Sequence, residues 1–341
     1  MDLIILICLI QIMYDFQEDD YLFQKITPFK ANEVKNVDDL LRSLKGCGFQ
    51  GRNLGKALDI LYEMVNNEEI LTVLTLSGAM IPAGMGKLIY TLLDNKLIDV
   101  LVTTGANIIH DFVDSLTDIG HFIGSPNMDD NELYKLRINR IYDTLLPEKN
   151  YGIAENALLE IIHNLFKSKE IQIMPSDLLA KVGEKLNNNS LLTVATKNNI
   201  PIFVPAFSDS EFALNLIKYS LKEGYKFNFD ILGDVLKFAE IIKNSKEQGT
   251  LIVGGGVPRN WAQQIFPLLD QIGSIENMGY NYSVRIHTAT EYDGGLSGCT
   301  ISESKSWGKY SLESKSISVW CDATIALPIL ITGLLQRMKI I

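Results

Sequence analysis

Short apolar runs alternate with longer amphipathic segments along most of this chain. The apolar runs lack polar alternation, which is typical of parallel strands buried on both faces. Between them, apolar residues recur at helical spacing. The predicted strands are Leu71–Leu76, Asp99–Thr103, Ile202–Pro205, Leu251–Val253, Tyr282–His287 and Ile317–Cys321. The predicted helices are Gly86–Asn95, Ala154–Lys167, Glu211–Lys222, Asp234–Asn244 and Ala323–Met338.

This order of strands and helices predicts an α/β fold with a doubly wound, mostly parallel sheet. The middle of the chain looks less regular, with a helix-like segment over Asn139–Leu145 and a loop over Pro147–Asn150. No break in composition divides the chain. We therefore expect an N-terminal helical extension over residues 1–45 and a single catalytic domain over residues 46–341.

Charge and cysteine content narrow the class of protein. The 41 acidic and 31 basic residues give a net charge of −10, which disfavours a nucleic acid as the main partner. The cysteines lie far apart, without the paired spacing of a zinc site or a disulfide framework, so a reducing, cytoplasmic setting is the simpler interpretation. These cysteines are Cys8, Cys47, Cys299 and Cys321.

The first residues include an apolar stretch, Leu3–Ile10, with two interpretations. A targeting segment would have a basic flank, but Asp2 precedes the stretch and Asp15 and Glu18 follow it. The stretch is also too short to span a bilayer. We favour a packing arm or a start placed too far upstream, and we expect no membrane partner.

Three predicted strands run directly into small or polar residues, at Ser77–Ala79, Thr103–Asn107 and Gly254–Pro258. In open α/β sheets, ligands lie outside the carboxyl ends of strands, where loops give way to helix N-termini. A dinucleotide would therefore lie at these loops. None of them matches GxGxxG, and a tight turn explains any one of them alone, but their recurrence favours a binding site.

The densest group of unusual residues runs from Thr288 to Lys309. It joins a Gly-rich loop, which includes Gly294 and Gly295, to Glu303 and then to Ser306-Trp307-Gly308-Lys309. A long loop of this kind after a strand indicates function rather than packing.

Lys309 is the candidate nucleophile of this loop. A lysine attacks an imine or a carbonyl only as the free amine, so its surroundings must lower its pKa through burial or a nearby cation. Trp307 and Gly308 can form a dry wall, and an indole face attracts ammonium groups such as those of a polyamine. Glu303 can pair with one amine end. Taken alone, the same residues also fit a surface turn with a solvated lysine.

Several motifs in a fixed order are more specific than any one of them. They are Gly48–Gly55, Asp99–Asn107, Asn139–Asp143, Gly254–Pro258, Gly294–Gly298, Ser306–Lys309 and Asp322–Ala323. With these motifs, the sequence resembles the deoxyhypusine synthase family from about Gly48 to the C-terminus. Ser77–Gly84 and Gly294–Gly298 look more like archaeal than eukaryotic members.

The resemblance implies a Rossmann-like fold, a homotetramer, and NAD and spermidine bound at sites shared between subunits. In this family NAD takes a hydride from spermidine, diaminopropane leaves, and the remaining butylimine group passes to the active-site lysine, which Lys309 matches. A lysine of the hypusine-bearing translation factor then displaces it, and the stored hydride reduces the new imine.

The resemblance also assigns the binding residues. The NAD pocket would be formed by Thr104, Gly105, Ala106, Asp209, Gly255, Thr288, Ala289, Asp322 and Ala323. The polyamine would be bound by Glu303, Trp307, Asn260, Gly294, Gly295 and His110.

The departures from eukaryotic members lie mainly in the amine pocket. Asn260 stands where those enzymes have a histidine, and Gln264 replaces an asparagine. Leu214 and Leu296 align with two carboxylates that hold spermidine there, and His110 aligns with a glutamate of the second NAD loop. The amine that this chain uses therefore stays open.

His110 has two interpretations of its own. It could carry a proton or contact a ligand, or it could be a helix-start histidine bonded to Asp111. His121, His163 and His287 show no metal-ligand spacing, so structural roles are the simpler expectation and we predict no metal site.

Other functions compete with deoxyhypusine synthase. A homospermidine synthase-type enzyme would share Lys309 and NAD but would pass the butyl group to a free polyamine such as putrescine. A non-catalytic relative would bind a partner or regulate an active homologue, and retention of Lys309, Trp307 and Glu303 argues against it. An ordinary NAD-dependent dehydrogenase would leave the lysine without a role.

Overall fold

A computed structural model describes residues 24–116, 120–187, 189–274 and 279–341. The apolar stretch Leu3–Ile10, with its two interpretations, lies outside the described residues. Within the described ranges, no helix is both long enough and apolar enough to cross a membrane.

The strands, in chain order, are β1 (Ile70–Leu76), β2 (Val100–Thr103), β3 (Phe122–Ile123), β4 (Ile138–Ile141), β5 (Thr144–Pro147), β6 (Glu170–Ile173), β7 (Ile202–Phe203), β8 (Lys226–Phe229), β9 (Glu247–Val253), β10 (Tyr280–His287) and β11 (Tyr310–Trp320). The helices are α1 (Val37–Lys45), α2 (Phe49–Val65), α3 (Gly86–Asp94), α4 (Gly105–Leu116), α5 (Asp130–Lys135), α6 (Glu148–Leu165), α7 (Pro175–Lys185), α8 (Leu191–Lys197), α9 (Glu211–Glu223), α10 (Ile231–Lys243), α11 (Gly256–Gln271), α12 (Ile301–Ser306) and α13 (Ala323–Arg337).

The centre of the fold is a parallel sheet of six strands in the order β11-β10-β9-β1-β2-β7. The chain starts in the middle at β1, moves outward to β2 and β7, returns to β9 beside β1, and moves outward again to β10 and β11. This is the strand order of the doubly wound Rossmann type. The predicted fold class is confirmed, and each predicted strand is one of the six, with β9 and β11 beginning earlier than predicted.

Helices cover both faces of this sheet because successive strand side chains point to opposite sides. Val73 packs on one face in a cluster with Phe238 of α10 and Phe266 of α11. Leu74 packs on the other face in a larger cluster that includes Leu330 of α13. The sheet is therefore the middle of three layers. The helices cover its two faces, and the loops that connect strands to helices lie at the two edges where the strands end.

The helical part of the predicted N-terminal extension is packed against the rest of the chain. A Cβ on Gly55 of α2 would lie 2.5 Å from the backbone oxygen of Leu41 in α1, so the two helices touch at their backbones. The Asp38 carboxylate accepts a hydrogen bond from Nε of Arg337 in α13 at 2.8 Å. The boundary of the extension at residue 45 stays a prediction.

Residues 138–147 form an antiparallel hairpin, so the helix predicted over Asn139–Leu145 is wrong. β4 and β5 are joined at Tyr142, which has a left-handed φ of 55°. The turn lacks the Asn-Gly or Asp-Gly pair that marks a two-residue hairpin in a sequence. The loop predicted over Pro147–Asn150 is also wrong, because Pro147 ends β5 and Glu148 begins α6.

Candidate active site

A cleft lies where the strand order reverses, between β1 and β9. The connections that follow these two neighbouring strands leave in opposite directions, so their loops separate and open a space at the carboxyl edge of the sheet. This space has a volume of about 240 Å³. Its walls include Ser77, Thr104, Gly105, Asp209, Gly255 and Ser297. A larger cavity of about 580 Å³, beside Asp99 and Pro201 at the opposite edge, contains none of the predicted site residues.

Two helices begin at the cleft, α4 at Gly105 and α11 at Gly256. Their first N–H groups have no partner inside the helix and carry the positive end of the helix dipole. A Cβ on Gly105 would lie 2.1 Å from Cβ of Ser210, and a Cβ on Gly255 would lie 2.9 Å from Cα of Ser297. Only glycine fits at these two positions, and the cleft suits the phosphates of a dinucleotide.

The predicted cofactor residues lie at one edge of the sheet. Those that line the cleft are Thr104, Gly105, Asp209 and Gly255. Ala106 is the next residue of α4, and the remaining four follow β10 and β11: Thr288, Ala289, Asp322 and Ala323. Asp322 caps α13, since its Oδ1 accepts from the backbone N–H of Thr324 at 2.8 Å. The order of the strands therefore gathers residues that are far apart in the sequence.

Lys309 is a buried side chain at the start of β11, with 7% of its surface exposed. Gly308, with a φ of 68°, turns the chain between α12 and the lysine. Nζ of Lys309 donates to Oδ1 of Asn260 at 3.0 Å and lies 5.8 Å from the centre of the Trp307 ring. Burial lowers the pKa of Lys309; the Arg259 guanidinium acts in the same direction, whereas Cys299 and Glu303 oppose it.

The lysine and the cleft are joined by α11. Asn260 stands four residues after Gly256, which is one helical turn or about 6 Å along the axis. Ser297, from the Gly-rich loop before α12, lines the cleft from the other side. The nucleophile candidate therefore lies near the N-terminal end of α11, the helix that begins at the cleft.

Four of the other predicted amine-binding residues are open to solvent. Trp307 is 60% exposed, and Glu303 lies in the exposed first turn of α12, where its backbone N–H donates to Oγ1 of Thr300 at 3.0 Å. Gly294 and Gly295 are exposed in the Gly-rich loop. The loop turns at this point, where the backbone N–H of Gly295 donates to Oδ1 of Asp293 at 2.8 Å.

Two buried arginines, which the sequence analysis did not single out, hold the Gly-rich loop. Nη2 of Arg259 and Nη1 of Arg285 both donate to the carbonyl oxygen of Cys299, at 3.0 and 2.7 Å. Arg285 also donates to the carbonyl oxygens of Gly254 and Ser297. Nothing in the local sequence marks either arginine, because the loop carbonyls that accept from them are brought close only by the fold.

His110 lies inside α4 and does not line the cleft. Its Nδ1 is 2.8 Å from Nε2 of His121, whose Nδ1 is 2.7 Å from the Asp114 carboxylate. Burial lowers the pKa of His110 to about 4, and His121 adds to this. A bond to Asp111 was the wrong alternative, since Asp111 accepts from the Tyr90 hydroxyl and from the backbone N–H of Leu191. Contact of His110 with a ligand stays a prediction.

Comparison with known proteins decides the family. The sequence model described as deoxyhypusine synthase matches residues 39–334. This chain belongs to the deoxyhypusine synthase family. A relative in Archaeoglobus fulgidus, named probable deoxyhypusine synthase 2, is 40% identical over 86% of this chain and 96% of its own length. A relative in Methanosarcina acetivorans, named probable deoxyhypusine synthase 1, is 34% identical over 92% of this chain and 96% of its own length.

The fold agrees with the deoxyhypusine synthase family. A solved structure of an Entamoeba histolytica protein, named "putative deoxyhypusine synthase", superposes with a TM-score of 0.62 at 21% identity, over 90% of this chain and 96% of the other. The resemblance that the motifs indicated is therefore confirmed, and the named archaeal relatives fit the archaeal character of Ser77–Gly84. Membership of the deoxyhypusine synthase family implies a transferase.

Proposed function

We propose that this chain is an NAD-dependent deoxyhypusine synthase, which passes the aminobutyl group of spermidine through Lys309 to a lysine of the hypusine-bearing translation factor. The observation that carries the proposal is the buried amine of Lys309, which faces the neutral amide oxygen of Asn260 one helical turn from the cleft. Burial disfavours the charged form of a lysine and lowers the pKa of Lys309 below its ordinary value. The free amine is the form of lysine that acts as a nucleophile.

The cleft after β1, β2 and β9 would hold NAD. The N-termini of α4 and α11 would bind the phosphates, and Gly105 and Gly255 keep that space clear of side chains. Asp209, in the cleft wall, offers a carboxylate to a ribose hydroxyl. When bound, NAD would accept a hydride from the amine substrate and return it later, so the net reaction involves no oxidation.

Lys309 would form the covalent link in this transfer. Its amine nitrogen attacks the imine carbon of the oxidised substrate, so that a new bond to Lys309 forms and the bond to the diaminopropane nitrogen breaks. The proton lost by Lys309 goes to the leaving amine. A lysine of the translation factor then displaces Lys309 by the same exchange.

Trp307 and Glu303 would bind the polyamine. The exposed indole of Trp307 attracts an ammonium group, and Glu303 supplies a negative charge near Lys309. Leu214 and Leu296, which align with two carboxylates that hold spermidine in eukaryotic members, are 49% and 55% exposed. They would contact the methylene carbons of the amine rather than its nitrogens.

We expect a cytoplasmic homotetramer with the translation factor as its protein partner. An apolar stripe on α9 supports assembly: Leu214, Ile217 and Leu221 lie at helical spacing and are 49%, 55% and 83% exposed. A row of exposed large apolar side chains on one helix face is typical of a protein interface.

Mass spectrometry of the purified protein with NAD, spermidine and the translation factor tests the proposal, with Lys309→Arg as the matched variant. Deoxyhypusine synthase activity is expected to release diaminopropane and add a butylamine group to the factor, and Lys309→Arg is expected to do neither. Transfer to added putrescine instead of the factor would indicate the homospermidine synthase-type function. Untouched spermidine under all conditions would contradict both and favour a non-catalytic relative.

A further inference from the structure

We infer that Asp114 and His121 are positioning residues for His110. Through two successive hydrogen bonds they hold the proton of His110 on Nδ1, so that Nε2 stays free to accept a hydrogen bond from the amine substrate. The inference rests on the proposed function, which supplies an amine substrate. It deepens that proposal by naming a side chain that orients the amine and the two residues that set its direction.

The three side chains form a hydrogen-bonded chain between α4 and the segment that follows it. Nδ1 of His121 lies 2.7 Å from Oδ1 of Asp114, and Nε2 of His121 lies 2.8 Å from Nδ1 of His110. The His121 side chain is 8% exposed and His110 is 6% exposed, whereas the Asp114 side chain is 35% exposed. The carboxylate therefore stands at the more open end of the chain, with the two rings behind it.

The carboxylate sets the direction of both hydrogen bonds. An ionised carboxylate can only accept, so Nδ1 of His121 carries a proton. In a neutral ring the other nitrogen is then an acceptor, so Nε2 of His121 accepts from Nδ1 of His110. His110 is itself neutral, since burial lowers its pKa to about 4. Its Nε2 is therefore left without a proton and can only accept.

Nε2 of His110 has no partner, although its residue is almost fully buried. Within the described part of the chain, no group forms a hydrogen bond with this atom. The polar atoms that are buried there without a partner include Nδ1 of His287 but not Nε2 of His110, so this nitrogen keeps contact with solvent. A fixed acceptor that solvent can reach is available to a ligand.

A polar cavity lies beside the ring of His110. The ring centre is 6.0 Å from that of Tyr151, which lines a cavity of about 490 Å³ between α6 and α9. The cavity adjoins the cleft, because its wall residue Glu211 follows Ser210, and a Cβ on Gly105 of the cleft would lie 2.1 Å from Cβ of Ser210. Side chains of a helix lean toward its N-terminus, so His110 lies over the first turn of α4, where the cleft begins.

The charges of this cavity favour a cationic guest. Its walls carry three carboxylates and one ammonium, from Glu148, Glu155, Glu211 and Lys218. Nζ of Lys218 lies 3.1 Å from both Glu155 and Glu211. The side chains that pair with Glu148 and Glu155 from outside, Arg137 and Lys222, are 70% and 68% exposed, so solvent screens their charge. The cavity therefore suits an ammonium group, and Nε2 of His110 supplies a neutral acceptor beside it.

The proton on His110 can be located directly. The chain has four histidines, so a sample labelled with ¹⁵N-histidine gives few signals, and magic-angle-spinning NMR distinguishes the protonated from the bare nitrogen of each ring. Spectra are recorded at pH 8, where an ordinary imidazole is neutral. Spermidine is added without NAD, so that no reaction occurs. His110→Gln assigns the signals of this ring.

We expect a bare Nε2 on His110 in the free protein and a shift of this signal when spermidine is added. A proton on Nε2 in the free protein would overturn the inference. A bare Nε2 whose signal ignores saturating spermidine would also overturn it, because the chain would then have a structural role alone.

His121→Phe keeps an aromatic ring but removes the acceptor of the Nδ1 proton. It is expected to let the His110 proton redistribute between both nitrogens and to weaken spermidine binding by about ten-fold. The affinity for NAD is expected to stay unchanged, since His110 does not line the cleft. Isothermal titration calorimetry measures both affinities. His163→Phe is the matched control, because His163 is exposed and stacks on Tyr225 outside this chain.

Variants of Asp114 test the other end and keep the test valid if thermal melting shows that His121→Phe does not fold. Asp114→Ala removes the carboxylate from the more open end and is expected to weaken spermidine binding in the same way. Asp114→Glu keeps a carboxylate and is expected to recover most of the affinity. Parental affinity in folded His121→Phe or Asp114→Ala protein, or equal losses in Asp114→Ala and Asp114→Glu, would overturn the inference.

The proposed function can fail independently. If Nε2 of His110 is bare and responds to spermidine but no aminobutyl transfer is found, the positioning role stands and deoxyhypusine synthase activity does not. If transfer occurs while Nε2 carries the proton, the reverse holds.

Discussion

Nζ of Lys309 and Oδ1 of Asn260 are 3.0 Å apart, although 49 residues separate them in the sequence. Asn260 belongs to the first turns of α11, the helix whose N-terminus forms part of the cleft. The contact therefore holds Lys309, the proposed nucleophile, close to the loops that we propose bind NAD. Several consequences can be measured.

Replacing Asn260 with leucine is expected to slow aminobutyl transfer by about a hundred-fold, because an unanchored amine no longer points at the imine carbon. The affinity for NAD is expected to stay unchanged, since the cleft glycines are untouched. Steady-state kinetics and NAD titration separate the two effects. Asn260→Gln, which restores an amide oxygen on a longer chain, is the control and should recover part of the rate; equal rates in all three proteins would contradict an anchoring role.

Replacing Gly255 with valine is expected to weaken NAD binding by at least about ten-fold, because the added side chain would collide with the Cα of Ser297 in the cleft wall. Gly255 has an extended φ of 179°, so steric overlap and not backbone strain is the cause. Gly152→Ala is the matched control, since nothing lies within 4 Å of a Cβ at that position. Isothermal titration calorimetry measures the affinity of both variants for NAD. Normal affinity in Gly255→Val would show that the cofactor binds elsewhere.

His110 is expected to make stability depend on pH. Burial lowers its pKa in the folded protein to about 4, below the ordinary value of 6.5, so the folded state favours the neutral ring. Its contribution to the free energy of unfolding is complete above pH 6.5 and is lost as the pH falls toward 4. His287, whose pKa burial also lowers to about 4, adds a second contribution of the same sign.

Urea unfolding between pH 7 and pH 4.5 measures this effect. His110→Gln is expected to lose less stability over that range than the parent protein, while His163→Gln, at an exposed position, is expected to follow the parent. A parallel decline in all three proteins would mean that His110 is protonated in the folded state.

The exposed stripe on α9 is expected to be an interface between subunits. Ile217→Asp would place a charge in the middle of that stripe and is expected to raise the subunit dissociation constant by at least about a hundred-fold. Analytical ultracentrifugation measures this dissociation constant, with Leu136→Asp as a control at an exposed leucine outside α9. An unchanged dissociation constant in the Ile217→Asp variant would show that α9 is not part of the interface.

The sheet could be predicted from the sequence because buried parallel strands are continuous apolar runs, as in Leu71–Leu76. The early half of β11 was missed since Glu313 and Lys315 interrupt its apolar pattern, as is usual in an edge strand with one open side. The β4–β5 hairpin was missed because its turn at Tyr142 carries no glycine. The local pattern of apolar residues therefore predicts the central strands better than it predicts the edge strand β11 and the β4–β5 hairpin.

The site shows the same limit. Lys309 and Trp307 lie two residues apart in the chain and could be paired from the sequence. The glycines at the ends of strands could be grouped in the same way. Arg259 could not be assigned to the site from the sequence. Its position beside Ser304 depends on β9 and β10 being neighbours in the sheet and on the path of the loop between β10 and α12. Contacts to loop carbonyls leave no pattern in the sequence that spacing arguments can detect.

Trapping the covalent intermediate tests the central claim most directly. The protein is incubated with NAD and spermidine in the absence of the translation factor, reduced with borohydride, and mapped by peptide mass spectrometry. The account predicts an aminobutyl group on Lys309 alone, dependent on both NAD and spermidine and lost in Lys309→Arg. Aminobutyl transfer to the translation factor without any adduct on Lys309, or with the adduct on another lysine, would contradict it.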